Sequence, residues 1–136
     1  MKATNGRALM ATGSPFAPVK SSDGREIQVS QCNNLYVFPG MGLGAIVCQA
    51  SRITQGMFHA ASHAISKMVT AEMRQKGCVL PALTDVRHAS FEVALAVARQ
   101  AREEGIGMIT SDEHLTELIK DAMWKPHYYA YRHGHI

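Results

Sequence analysis

Residues 31–46 read Gln-Cys-Asn-Asn-Leu-Tyr-Val-Phe-Pro-Gly-Met-Gly-Leu-Gly-Ala-Ile. Pro39 suits the first turn of a helix, because its missing N–H would be unpaired there anyway. From Phe38 to about Ala50 the chain is apolar on nearly every side, so this helix belongs in an interior. Gly40, Gly42 and Gly44 each cost roughly 1 kcal/mol in a helix interior. Either close packing of the backbone or a ligand must offset that. Just upstream, Asn33 and Asn34 place two adjacent side-chain amides, each with two donors and two acceptor lone pairs. At a helix start such donors can hold a carboxylate, assisted by free backbone N–H groups. The plainer alternative makes one Asn a cap and the other a turn residue.

Working outward, residues 7–11 (Arg-Ala-Leu-Met-Ala) read as a short buried strand that runs into the breaker cluster Thr12-Gly13-Ser14-Pro15. An apolar strand ending in such a turn fits the carboxyl edge of a parallel sheet, where open α/β folds bind ligands. Residues 16–30 form a loop. Within it Ser21-Ser22-Asp23-Gly24 is a candidate hairpin tip between residues 18–19 and 26–29.

Downstream the pattern is helical. Thr54 can cap a helix over residues 55–68, with Met57, Phe58, Ala61, Ile65 and Met68 on one face. Residues 70–76 add a short turn closed by Gly77. Thr84 can cap a long helix over residues 85–104, which Gly105 terminates. Its small and apolar face is Val86, Ser90, Val93, Ala94, Val97, Ala98 and Ala101. Thr110-Ser111-Asp112-Glu113 holds a Thr-x-x-Glu capping box. The helix after it runs to about Trp124, with Leu115, Leu118, Ile119, Ala122 and Met123 facing inward, and Pro126 stops it. The expected organisation is strand and loop over residues 1–34, helices over 35–125 and a tail over 126–136. One strand cannot make a sheet, so the chain either docks on a larger α/β sheet or folds as a small helical domain.

The 136 residues fit one domain or part of one, and 46% hydrophobic content excludes a disordered segment. A net charge of +3, with 14 basic and 11 acidic residues, is too mild to argue for nucleic acid. Cys32, Cys48 and Cys78 are odd in number and widely spaced, which argues against a disulfide framework or a zinc site. No signal pattern or apolar run long enough for a membrane span occurs. A cytoplasmic protein with reduced thiols is the expectation.

Other candidate groups carry bland readings. His59 and His63 have the i, i+4 spacing of a metal pair but no third ligand, and read as exposed polar residues. Cys32 reads as a small buried residue. Tyr128, Tyr129 and Tyr131 read as packing against another subunit or domain. His133 and His135 read as part of a solvated tail.

Six stretches in order resemble the closing motifs of the malic enzyme family. They are Ala-Thr-Gly-Ser-Pro-Phe (11–16), Gln-Cys-Asn-Asn (31–34), Phe-Pro-Gly-Met-Gly-Leu-Gly-Ala-Ile (38–46), Ser-Arg-Ile-Thr (51–54), Leu-Pro-Ala-Leu-Thr-Asp-Val-Arg (80–87) and Met-Trp-Lys-Pro-His-Tyr (123–128). Gln-Cys-Asn-Asn, where Gln-Gly-Asn-Asn is more widespread, resembles the bacterial NAD-dependent branch. That family oxidises L-malate with NAD and decarboxylates it to pyruvate, using Mn²⁺ or Mg²⁺.

The resemblance implies that the chain is the mainly helical C-terminal part of a Rossmann-like NAD-binding domain. It implies that Asn34 binds the malate carboxylate with Asn33 beside it, and that Gly13, Ser14 and Asn34 line the cofactor cleft. It assigns no catalytic and no metal-ligating residue here. The family's tyrosine and lysine pair, metal carboxylates and glycine fingerprint lie upstream of these motifs. Gly40, Gly42 and Gly44 lack the fingerprint's spacing. Catalysis by this chain alone is therefore not expected. Its expected partners are malate and NAD, and either further copies or the missing upstream domain, because an exposed glycine-bearing apolar helix favours association. Two other readings stand beside this. Malolactic enzyme, converting malate to lactate, resembles the same motifs but has Ile at the position of Ser14. A truncated, non-catalytic helical module that oligomerises is the third.

Overall fold

The computed structural model describes residues 2–5 and 7–130. After a 3-10 turn at Lys2–Thr4 come four two-residue strands: β1 (Ala11–Thr12), β2 (Val19–Lys20), β3 (Glu26–Ile27) and β4 (Ser30–Gln31). Five helices follow: α1 (Phe38–Val47), α2 (Gln55–Lys67), α3 (Ala71–Gln75), α4 (Val86–Glu103) and α5 (Asp112–Ala122). The fold is mainly helical with parallel strands near its start, as expected for the closing part of a Rossmann-like domain.

The strands form two separate pairs. β2 and β3 make the antiparallel hairpin expected around the Ser21–Gly24 tip, with Val19 opposite Ile27. β1 and β4 run parallel, with Ala11 opposite Ser30 and Thr12 opposite Gln31. The expected strand over residues 7–11 shrinks to Ala11–Thr12, and the single strand acquires a partner. β4 carries no apolar run: Ser30 and Gln31 are polar, so hydrophobic periodicity gives no sign of it.

α4 is the centre of the core. It buries eight residues, from Ala89 to Ala101, and packs against α1, α2 and α5. All seven residues expected on its inner face are buried except Val86. Small residues let α1 approach it closely. A Cβ built on Gly40 would lie 2.6 Å from the Ser90 carbonyl oxygen and from Val93 Cβ. Gly40 and Gly44 therefore serve packing, while Gly42 faces open space. Met57, Ala61 and Ile65 of α2 and Leu115 and Ile119 of α5 complete the interior.

Several helix ends follow the expected chemistry. Thr54 Oγ1 accepts from Met57 N at 3.2 Å, and Thr70 Oγ1 accepts from Met73 N at 3.2 Å. Gly77 (φ 84°) and Gly105 (φ 67°) take the left-handed conformation that ends α3 and α4. Thr84 does not cap α4. It lies inside a 3-10 turn, Leu83–Asp85, and Asp85 occupies the cap position without a side-chain bond. At α5 the cap is Ser111 rather than Thr110, its Oγ accepting from His114 N at 3.2 Å. The Thr-x-x-Glu box is not used, and Thr110 O accepts instead from Arg102 Nη1 at 2.6 Å. Asp112, in the first turn of α5, bonds Arg99 and Arg102, each at 2.8 Å, and so ties α4 to α5. α5 stops at Ala122, short of Trp124, and Ala122 is exposed. Tyr131, His133 and His135 lie outside the described residues.

Candidate functional site

The parallel pairing of β1 with β4 decides where the candidate residues sit. Both strands end at the same edge, so Gly13 and Ser14 leave it beside Cys32, Asn33 and Asn34. Backbone bonds hold the two exits together: Ser30 N donates to Met10 O at 3.0 Å and Cys32 N to Thr12 O at 2.7 Å. One side chain adds a tie between them, Gln31 Nε2 donating to Gly13 O at 3.2 Å, while Thr12 Oγ1 donates to Ser14 O at 2.8 Å within the first exit. A Cβ on Gly13 would meet nothing within 4 Å, so open space lies over this residue.

The two asparagines differ in what they do. Asn33 has extended backbone, and its Oδ1 accepts from Leu35 N at 3.0 Å. It caps a 3-10 turn, Asn34–Tyr36, which stands between the amide pair and α1. The expectation puts the pair just before the glycine-bearing helix, with one Asn as its possible cap; Val37 instead holds the cap position of α1, with no side-chain bond. Asn34 opens the turn and is exposed, with its amide available to solvent.

Tyr36 anchors this turn, a role that sequence reading misses. It is 2% exposed, and its Oη donates to Pro81 O at 2.6 Å. Burial, and then the Asp85 carboxylate and Cys32, push the Tyr36 phenol above its ordinary value. A second clamp reaches the same segment, since Val79 N donates to Ser30 Oγ at 2.9 Å. Between these clamps lies a cavity of about 310 Å³ lined by Cys32, Asn33, Tyr36, Ser62 and Ser66 with apolar neighbours. Cys32 is exposed, not buried as expected, because β4 ends at Gln31 and releases it to the sheet edge.

A family model described as "Malic enzyme, NAD binding domain" matches residues 1–102. The chain belongs to the malic enzyme family. An NAD-dependent malic enzyme of Pseudomonas aeruginosa (strain UCBPP-PA14) is 50% identical over 129 residues, covering 95% of this chain and 23% of the relative. The NAD-dependent malic enzyme of Salmonella arizonae is 45% identical over 133 residues, covering 98% of this chain and again 23% of the relative. This malic enzyme chain therefore spans under a quarter of the length of these curated relatives.

The residues described do not fit a divalent metal. Among them no group of three or more His, Cys, Asp or Glu side chains is placed to hold one, and His59 and His63 are exposed on α2. Among the described residues no helix is long and apolar enough to cross a membrane.

Proposed function

We propose that this chain supplies the substrate-holding edge and one wall of the cofactor cleft in an NAD-dependent malic enzyme, which oxidises and decarboxylates L-malate to pyruvate. The reading rests on one observation: β1 and β4 pair in parallel, so Gly13-Ser14 and Asn33-Asn34 share one carboxyl edge. Asn34 donates its amide N–H to a malate carboxylate. Asn33 is a positioning residue, its oxygen already engaged by Leu35 N. Gly13 and Ser14 line the cleft, where the missing Cβ of Gly13 leaves room for NAD. NAD would accept the hydride when bound; this segment's own residues bind and orient.

The test is a chimera in which this chain replaces the matched region of the P. aeruginosa relative. Losing an amide-to-carboxylate bond costs about 1.5–3 kcal/mol, so Asn34→Ala should weaken malate use about 10- to 100-fold. Asn34→Ala with unchanged rate and malate affinity would overturn the assignment. The chain on its own is expected to bind malate weakly and to reduce no NAD.

A further inference from the structure

A cavity of about 290 Å³ gathers three arginines where the chain enters β1. Arg7 and Leu9 line it from the stretch before that strand, Arg25 and Ile27 from the hairpin, and Arg74 and Gln75 from α3. Among the described residues no Asp or Glu lines it. Alternation through β3 turns Arg25 and Ile27 to one side and Glu26 to the other. By contrast, the cavity between α2 and α4 sets Lys67 and Arg99 against Glu92 and Glu103.

The walls are held in place. Gln28 N donates to Lys76 O at 2.8 Å, and a Cβ built on Gly77 would lie 2.7 Å from Ile27 Cγ2, so the hairpin and the end of α3 are in close contact. The guanidiniums are oriented as well, each through its inner nitrogen. Arg7 Nε donates to Thr4 O at 3.3 Å, Arg25 Nε to Asp23 Oδ2 at 2.6 Å and Arg74 Nε to Val69 O at 3.1 Å. Arg74 Nη2 reaches the same carbonyl at 2.6 Å. Both terminal nitrogens of Arg7 and of Arg25, and Nη1 of Arg74, have no partner among the described residues. Asp23 is the one carboxylate bonded to the trio among the described residues, so positive charge at the cavity is left unbalanced.

We infer that this cavity binds a small multivalent oxyanion, a phosphate ester or a polycarboxylate. A guanidinium fork pairs with phosphate or carboxylate oxygens through two parallel N–H bonds, and such charge-assisted bonds are roughly twice as strong as neutral ones. Three like charges around one space repel each other, and a ligand with two or more negative charges replaces that repulsion with attraction. Beyond the oxyanion the cavity has room for a few carbons, to which Leu9 and Ile27 offer apolar surface. Binding joins the entry to β1, the hairpin and the end of α3. The cavity lies before β1, whereas Gly13 and Ser14 follow that strand, so this inference does not depend on the malate reading.

Isothermal titration calorimetry on the full chain at low salt tests it, with inorganic pyrophosphate as the phosphate probe and citrate as the carboxylate probe. At least one is expected to bind one-to-one with a Kd of about 0.1 mM or below. The tighter of the two tells which kind of oxyanion the site takes. Arg7→Lys and Arg25→Lys, both at exposed positions, keep the charge but lose the fork, and each should weaken binding about tenfold or more. Lys120→Gln, on α5 and outside the cavity, should leave the affinity unchanged. Far-UV circular dichroism is the control for folding. No saturable binding of either probe would overturn the proposal. So would lysine variants that bind as well as the unaltered chain, or a Lys120→Gln variant weakened as much as they are, since either result means diffuse attraction to a basic chain.

Discussion

Gly44 of α1 faces Ala94 of α4 so closely that a Cβ built on the glycine would stand 2.5 Å from the Ala94 carbonyl oxygen. The atom in the way is backbone, which cannot turn aside as a flexible side chain would. Gly44→Ala should therefore destabilise the fold by about 1–3 kcal/mol, despite the roughly 1 kcal/mol that alanine gains in helix propensity. Gly42→Ala meets open space and should stabilise by about 0.5–1 kcal/mol. Urea unfolding of the two variants should move in opposite directions.

The asparagine pair should separate by stability as well as by binding. Asn33→Ala removes the cap on Leu35 N and should cost about 1 kcal/mol. Asn34→Ala removes an exposed amide and should stay within about 0.5 kcal/mol of the unaltered chain. Thermal melting of both reads this directly, and a larger loss for Asn34 than for Asn33 would reverse their assigned roles.

Tyr36→Phe deletes a buried bond to Pro81 O and should cost about 1–3 kcal/mol, since the carbonyl is left without its partner. The same group sets a pH dependence. Its pKa is raised in the fold, and burial likewise raises that of the Cys48 thiol. In both cases the unfolded chain gives up its proton first. Their stabilisation is complete below the ordinary values of 9.0 for the thiol and 10.0 for the phenol, and is lost as pH rises through the folded values. Urea midpoints should fall on the alkaline side, and Tyr36→Phe with Cys48→Ala should flatten that fall.

At the acid end the sign reverses. Arg99 and then Arg102 hold the Asp112 carboxyl below the usual carboxylate range. Its contribution is present above the ordinary value of 3.8 and disappears as pH falls through the folded value. Asp112→Asn should be less stable than the unaltered chain at pH 7, and the two should converge at strongly acid pH. A gap that persists in acid would mean that the Arg99–Asp112–Arg102 bridge is not its source.

Apart from α1, which is apolar on nearly every side, the helices were legible because each carries at least one signal of its own: a period near 3.6, a Thr or Ser cap, or a closing glycine. α2 matches its expected span within a residue, and Gly77 and Gly105 end their helices as read. The caps of α4 and α5 lie one position later than read, at Asp85 and Ser111. Of the candidate site, Asn33 and Asn34 were legible by residue type, and Gly13 and Ser14 through the breaker cluster and the family resemblance. What joins them was not. β4 is two polar residues whose identity as a strand comes from its partner. Tyr36 is a lone tyrosine until folding brings Pro81 to its hydroxyl.

α4 has a consequence for how the molecule assembles. α1, α2 and α5 all seat on it, while α1 and α2 touch each other far less. The earlier helices must therefore wait for a segment that comes late in the chain. Partial structures that lack α4 have little to hold them, which favours folding in one cooperative step. The turn bearing Asn34 rests on α4 as well as on α1, so changes that loosen α4 should disturb that edge without touching a single residue on it.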